Sequence, residues 1–143
     1  MKEIGPDLSL DSTTYEIFKN AIINKRIKNK PLCEFLMEQE RLSSIGNYIR
    51  AEVMYLSKIH PLRPLNLLSE YNLQCLFYFI KFVLKESYER NGLTIQDYED
   101  PYGIKGTYEC YCYGKTSDMN GLSITTFKDS KDRTVHWCSA LQI

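Results

Sequence analysis

Between Ser69 and the Asn91-Gly92 pair, apolar residues recur at spacings of three and four: Leu73, Leu76, Phe77, Ile80, Val83 and Leu84. That period belongs to one face of an α-helix and cannot lie on one face of a strand. Ser69 is a suitable N-cap and Asn-Gly a common helix stop. The spacing therefore predicts one long helix whose stripe faces a core rather than a cofactor. In a chain of 143 residues, a helix of this kind organises one domain, or one domain with a small appendage.

Shorter elements lead up to it. Gly5-Pro6-Asp7 reads as a turn-rich lead-in. Thr13 and Glu16 have capping-box spacing, and Ile17, Phe18, Ala21 and Ile22 make one apolar face, so a helix is expected to end near Asn24. Pro31 suits the first turn of a second, short helix with Leu32, Phe35 and Leu36 inside. Ser43-Ser44-Ile45-Gly46 is a turn, and a third helix is expected from Asn47 to about Ser57, with Ile49, Val53 and Leu56 inside. Pro61 and Pro64 hold an extended connection to the long helix. Beyond Gly92 the pattern changes. Residues 93–106 read as a long loop, and strands are expected over 107–113, 122–127 and 134–138. Residues 128–133 form the tip of the last hairpin. The fold class is mainly α: a helical domain over 1–106 and a small antiparallel β appendage over 107–143.

Charge and cysteine content narrow the setting. Eighteen basic and eighteen acidic side chains cancel, yet residues 19–63 hold nine basic and four acidic ones. A neutral chain with one basic segment can hold a polyanion locally. On charge alone, Lys25, Arg26, Lys28 and Lys30 read as a solvated basic linker. No apolar run approaches the roughly 20 residues that a bilayer span needs, so no membrane partner is expected. Five cysteines behind a start without a signal core point to free thiols and an intracellular, reducing compartment, cytoplasm or nucleus.

The most informative stretch runs from Leu36 to Val53. A short helix, two turns and a second helix opening at Gly46-Asn47 present unpaired N–H groups and a positive dipole end, which suit a phosphate. Gly46 lets a phosphate approach the backbone, and Asn47 can cap the helix or aim its amide at a phosphate oxygen. Local physics alone reads the same stretch as a plain corner with an Asn cap.

The wider pattern resembles the helix–two-turn–helix motif of the formamidopyrimidine-DNA glycosylase and endonuclease VIII family. Leu36-Met37-Glu38-Gln39, then Ser44-Ile45-Gly46-Asn47-Tyr48-Ile49 with Glu52, is similar to the family's Leu-Met-Asp-Gln and Gly-Ile-Gly-Asn-Tyr-Ile followed by Glu. Ile4-Gly5-Pro6-Asp7-Leu8, Ile59-His60-Pro61 and Asn91-Gly92-Leu93-Thr94-Ile95-Gln96-Asp97-Tyr98 stand in the family's order. Asp132-Arg133-Thr134-Val135-His136-Trp137-Cys138 and Gln142 resemble its DNA-binding finger. The resemblance implies a base-excision-repair module that clamps damaged double-stranded DNA around a flipped nucleotide. Gly46, Asn47 and Arg133 are its implied DNA contacts, with Lys28 and Lys30 as further basic candidates. A guanidinium fork suits paired hydrogen bonds to phosphate. The loop 93–105 stands where the family closes over the flipped base.

Two departures shape the expectation. Family fingers that bind zinc use two Cys-x-x-Cys pairs, and here Ser117, Asn120 and Leu141 stand at three of those positions, with Cys138 at the fourth. A zinc-free finger without cofactor is therefore expected. Cys110, Cys112, His136 and Cys138 are the alternative ligand set, and a half-buried strand face is the other reading of Cys110 and Cys112. The family's glycosylase/AP lyase nucleophile is an N-terminal Pro followed by Glu, whereas Lys2 follows Met1 here. The chain thus resembles the C-terminal half of such an enzyme, with no catalytic residue of its own. Its glycosylase domain is expected on a separate polypeptide or elsewhere; the alternatives are a stand-alone, non-catalytic binder of damaged DNA or a helical interaction module.

Overall fold

The computed structural model describes residues 4–89 and 109–143. Among the described residues, four helices precede a two-stranded hairpin: α1 (Tyr15–Ile22), α2 (Leu32–Phe35), α3 (Asn47–Ser57), a 3-10 turn (Leu65–Leu67), α4 (Glu70–Glu89), β1 (Thr125–Lys128) and β2 (Thr134–Trp137). Local chemistry accounts for most boundaries. Thr14, one residue later than the spacing suggested, caps α1, its hydroxyl accepting from Ile17 N–H. Thr13 is buried instead and donates to the Asp7 carbonyl at 2.5 Å. Ser69 caps α4 as expected, in a reciprocal pair: its hydroxyl accepts from Asn72 N–H at 3.1 Å, and Asn72 Oδ1 accepts from Ser69 N–H at 2.9 Å.

α3 and α4 pack against each other, and α1 lies on α4. The α4 stripe behaves as its period requires, with Leu73, Leu76, Ile80 and Val83 buried. Phe18 and Ile22 of α1 join the core, but Ile17 is turned to solvent. Leu32, Phe35 and Leu36 are fully buried, so the brief α2 acts as a plug of apolar side chains. No helix among the described residues is long and apolar enough to cross a membrane.

Among the described residues the appendage carries a two-stranded antiparallel ladder, with Phe127 opposite Val135 and Lys128 opposite Thr134. Val135 is fully buried in the core formed by the helices, so the hairpin is seated on α3 rather than projecting from it. The expected strand over 107–113 is not formed at residues 109–113. There the chain makes bends held by a helix side chain: Glu52 accepts the backbone N–H groups of Tyr111, Cys112 and Tyr113 at 2.5, 2.9 and 3.2 Å. Three successive donors taken by one carboxylate are not available to a ladder. Residues 107 and 108, the loop 93–106 and the Asn91-Gly92 stop lie outside the described residues.

Candidate nucleic-acid interface

The turn before α3 is braced from behind. Gly5 N–H donates to the Gln39 carbonyl at 2.7 Å, and a Cβ at Gly5 would stand 2.4 Å from the Arg41 carbonyl carbon. Only glycine lets the two backbones approach so closely. Ser43 N–H donates to the Pro6 carbonyl, and the Ser44 hydroxyl bonds the Asp7 carboxylate. Gln39 Nε2 donates to the Ile45 carbonyl at 3.0 Å, fixing the residue before Gly46. The motif's Gln and the lead-in's Gly-Pro-Asp therefore shape the turn.

Gly46 is the N-cap of α3 and is exposed. Its φ of −97° is open to any residue, and a Cβ there would meet nothing within 4 Å. The fold does not require glycine at this position; the missing side chain leaves the helix N-terminus accessible from solvent. Asn47 does not cap α3 with its side chain. Instead it reaches the finger, Nδ2 donating to the Thr134 carbonyl at 3.1 Å. Its Oδ1 accepts from Arg50 Nη2 at 2.5 Å.

Arg50 is fully buried one turn into α3, and nothing in the spacing of the helix marked it. Its Nη1 donates to the Cys33 carbonyl at 3.0 Å and to Asp129 Oδ2 at 2.8 Å, while Nε has no acceptor. Asp129, at the hairpin tip, is equally buried. The same Oδ2 accepts from Arg133 Nε at 2.8 Å, and Oδ1 accepts the N–H groups of Lys131 and Arg133. Burial pushes the Asp129 carboxyl up, but the bonds from Arg50 and Arg133 outweigh it and hold the group well below the usual carboxylate range. Arg133 keeps its side chain partly exposed, 28%. Among the described residues its terminal nitrogens have no partner.

Gly46, Asn47 and Arg133 are thus brought together, joined through Arg50 and Asp129. Lys28 and Lys30 take no part in the bonds that join this group. With Lys25, Arg26 and Glu34 they line an open recess of about 330 Å³. Lys30 is ion-paired with Glu38, whereas Lys28 is exposed. Glu34 ties the recess to the finger, accepting from Ser130 N–H at 2.8 Å and from the Ser130 hydroxyl at 2.6 Å.

Hydrogen bonds to side chains organise the rest of the finger. Asp118 Oδ1 accepts the N–H groups of Asn120 and Leu122, and its Oδ2 accepts from the Tyr55 hydroxyl at 2.9 Å. Ser117 pairs with Ser123 across this knuckle. Burial, reinforced by the Glu52 carboxylate, pushes the Cys110 and Cys112 thiols up, which keeps them protonated at neutral pH. Among the described residues no group of three or more His, Cys, Asp or Glu side chains is placed to hold a metal ion, so Cys110, Cys112, His136 and Cys138 do not form the alternative set. Gln142 closes the finger: its Oε1 accepts from Cys138 N–H at 2.8 Å and its Nε2 donates to the Ile59 carbonyl at 3.0 Å. His60 packs on Trp137 with ring centres 4.4 Å apart.

Residues 4–99 match the family described as the formamidopyrimidine-DNA glycosylase H2TH domain. The formamidopyrimidine-DNA glycosylase of Herpetosiphon aurantiacus is 36% identical over 119 residues, 82% of this chain and 42% of that protein. Among solved structures, a complex between Lactococcus lactis Fpg and DNA containing an abasic site superposes with a TM-score of 0.83 at 28% identity, over 97% of this chain and 51% of that one. MutM (Fpg) from Thermus thermophilus shares the fold, with a TM-score of 0.85 at 23% identity, over 98% of this chain and 54% of that one. The chain spans about half the length of the relatives it matches.

Proposed function

The chain belongs to the formamidopyrimidine-DNA glycosylase family through its H2TH domain, and on that premise we propose that it is the DNA-clamping portion of a base-excision-repair glycosylase/AP lyase. Its ligand is the phosphate backbone of damaged double-stranded DNA around a flipped nucleotide. The observation that carries this reading is the convergence of the exposed α3 N-terminus at Gly46 with Asn47 and the Arg133 guanidinium. Backbone N–H groups at a helix start, a side-chain amide and a cation together suit one or two phosphates. Directed at phosphates, these donors position the duplex and leave its sequence unread. The L. lactis relative, seen with DNA containing an abasic site, supports that ligand for this surface.

Lys28, exposed on the recess that Glu34 ties to the finger, is a further basic candidate, and Lys30 contributes less because Glu38 neutralises it. The helical part, 1–106, and the finger, 107–143, act as one clamp because Glu52, Arg50 and Asn47 of α3 all bond the finger. Base removal and strand cleavage belong to the half of the relatives that this chain does not match, carried on the same polypeptide or a separate one. An intracellular setting, cytoplasm or nucleus, follows from a DNA-repair role. The test is binding to a duplex with one abasic-site analogue against an intact duplex, measured at several salt concentrations. A preference for the damaged duplex, with affinity falling as salt rises, supports the clamp. Absence of duplex binding at low salt makes the chain a helical interaction module instead.

A further inference from the structure

The side chains of Arg50 and Asp129 touch no solvent, so neither guanidinium nor carboxylate can meet DNA directly. They nevertheless determine which atoms of the two exposed anchors remain free. The Asn47 amide has one acceptor and two N–H donors. Arg50 takes the acceptor and the Thr134 carbonyl takes one donor, so the amide is fixed one way round with a single N–H left over. The Arg133 guanidinium has five donors. Asp129 takes the one on Nε and leaves the Nη1/Nη2 edge, the edge that can bridge two phosphate oxygens. One buried cation supplies both restraints, because Arg50 reaches Asn47 with Nη2 and Asp129 with Nη1.

We propose that Arg50 and Asp129 are positioning residues for the phosphate clamp, a buried pair that orients the Asn47 amide and the Arg133 guanidinium before DNA arrives. The proposal rests on the DNA-clamping reading above. A clamp whose donors are already set loses less side-chain freedom on binding than one that must order them. The pair also sits where three elements meet, since Arg50 holds the Cys33 carbonyl of α2, Asn47 of its own helix and Asp129 of the hairpin tip. Lysine at 50 would keep the charge but not the planar fork that reaches three acceptors at once.

The test is a pair of double-mutant cycles on the whole 143-residue chain, read as affinity for an abasic-site duplex, with melting temperature recorded beside it. In the parent background, Asp129→Asn weakens binding roughly tenfold, as expected for loss of one charge-assisted bond. In the Arg133→Ala background it costs less than about twofold, because the side chain it orients is gone. Arg50→Lys gives the second cycle: its loss in the parent shrinks in the Asn47→Ala background. A purely structural role moves melting temperature and costs the same affinity in both backgrounds, and that result overturns the proposal. Unchanged affinity in both Asp129→Asn and Arg50→Lys overturns it as well. Should Asp129→Asn fail to fold, the Arg50 cycle decides alone. If Arg133→Ala and Asn47→Ala themselves bind like the parent, the clamp reading fails first, and this outcome is distinguishable from the others.

Discussion

The carboxylate of Glu52, midway along α3, accepts the backbone N–H of Cys112 at 2.9 Å, and with it the N–H groups on either side. A single acidic side chain inside the helical domain thereby anchors the start of the finger. Glu52→Ala leaves three backbone donors without this acceptor. Only the Cys112 donor is fully buried, and leaving it unsatisfied costs about 1–3 kcal/mol, which sets the expected destabilisation; the partly exposed Tyr111 and Tyr113 donors can turn to water. Denaturant unfolding measures it. A loss below about 1 kcal/mol would mean that the finger is held by Val135 and its apolar neighbours alone.

The knuckle of the finger is held by Asp118 and Tyr55. Metal analysis of the purified chain is expected to find no stoichiometric zinc, and a chelator to leave the melting temperature unchanged. Tyr55→Phe removes one hydrogen bond from the buried Asp118 carboxylate and lowers stability by about 1 kcal/mol or more. Unfolding by chelator alone would restore Cys110, Cys112, His136 and Cys138 as a ligand set.

Acid is expected to destabilise the fold in two steps. Burial, and then Arg50, lower the His136 pKa below 6.5. The unfolded chain therefore takes up that proton at a higher pH than the folded one, and stability falls as pH drops through roughly 6.5. Asp129 is held below its unfolded value of 3.8. Its contribution is present above that pH and is lost as pH falls towards the folded value. His136→Phe should flatten the stability curve as pH falls below about 6.5, and Asp129→Asn should flatten the fall below about pH 4. Equal pH slopes in parent and variants would contradict the assignment.

Much of this fold is legible in the residues because long-period signals and local caps agree. The α3 bounds follow from the Ser-rich turn and the apolar spacing, and the α4 stripe faces the core as its period requires. Features decided by tertiary bonds were not legible. Residues 109–113 alternate like a strand, yet Glu52 takes their backbone donors from a distant helix. Asn47 stands at a helix start, where capping is the ordinary expectation, but the finger offers the Thr134 carbonyl instead. Arg50 looks like any helical surface cation; its burial depends on Asp129, 79 positions later. Resemblance between motifs located the candidate anchors, Gly46, Asn47 and Arg133, and gave no sign of the buried pair behind them.

Gly46 separates folding from binding. A methyl group there meets nothing within 4 Å and the backbone is extended, so Gly46→Ala should melt within a few degrees of the parent. It should nevertheless weaken duplex binding severalfold, because on the proposed clamp the methyl group would stand in the path of a phosphate to the α3 N–H groups. Parent-like affinity would show that the ligand stays clear of the helix start.

The most direct test of the clamp is the salt dependence of Arg133→Ala on an abasic-site duplex. Arg133 carries its charge to the surface at the tip of the finger. A charge that neutralises one phosphate contributes about 0.9 to the slope of log K against log salt. The account predicts that Arg133→Ala folds, binds roughly tenfold or more weakly, and has a slope shallower by about one. Asn47→Ala, carrying no charge, should weaken binding and leave the slope unchanged. A folded Arg133→Ala variant with the parent's affinity and the parent's slope would contradict the central claim.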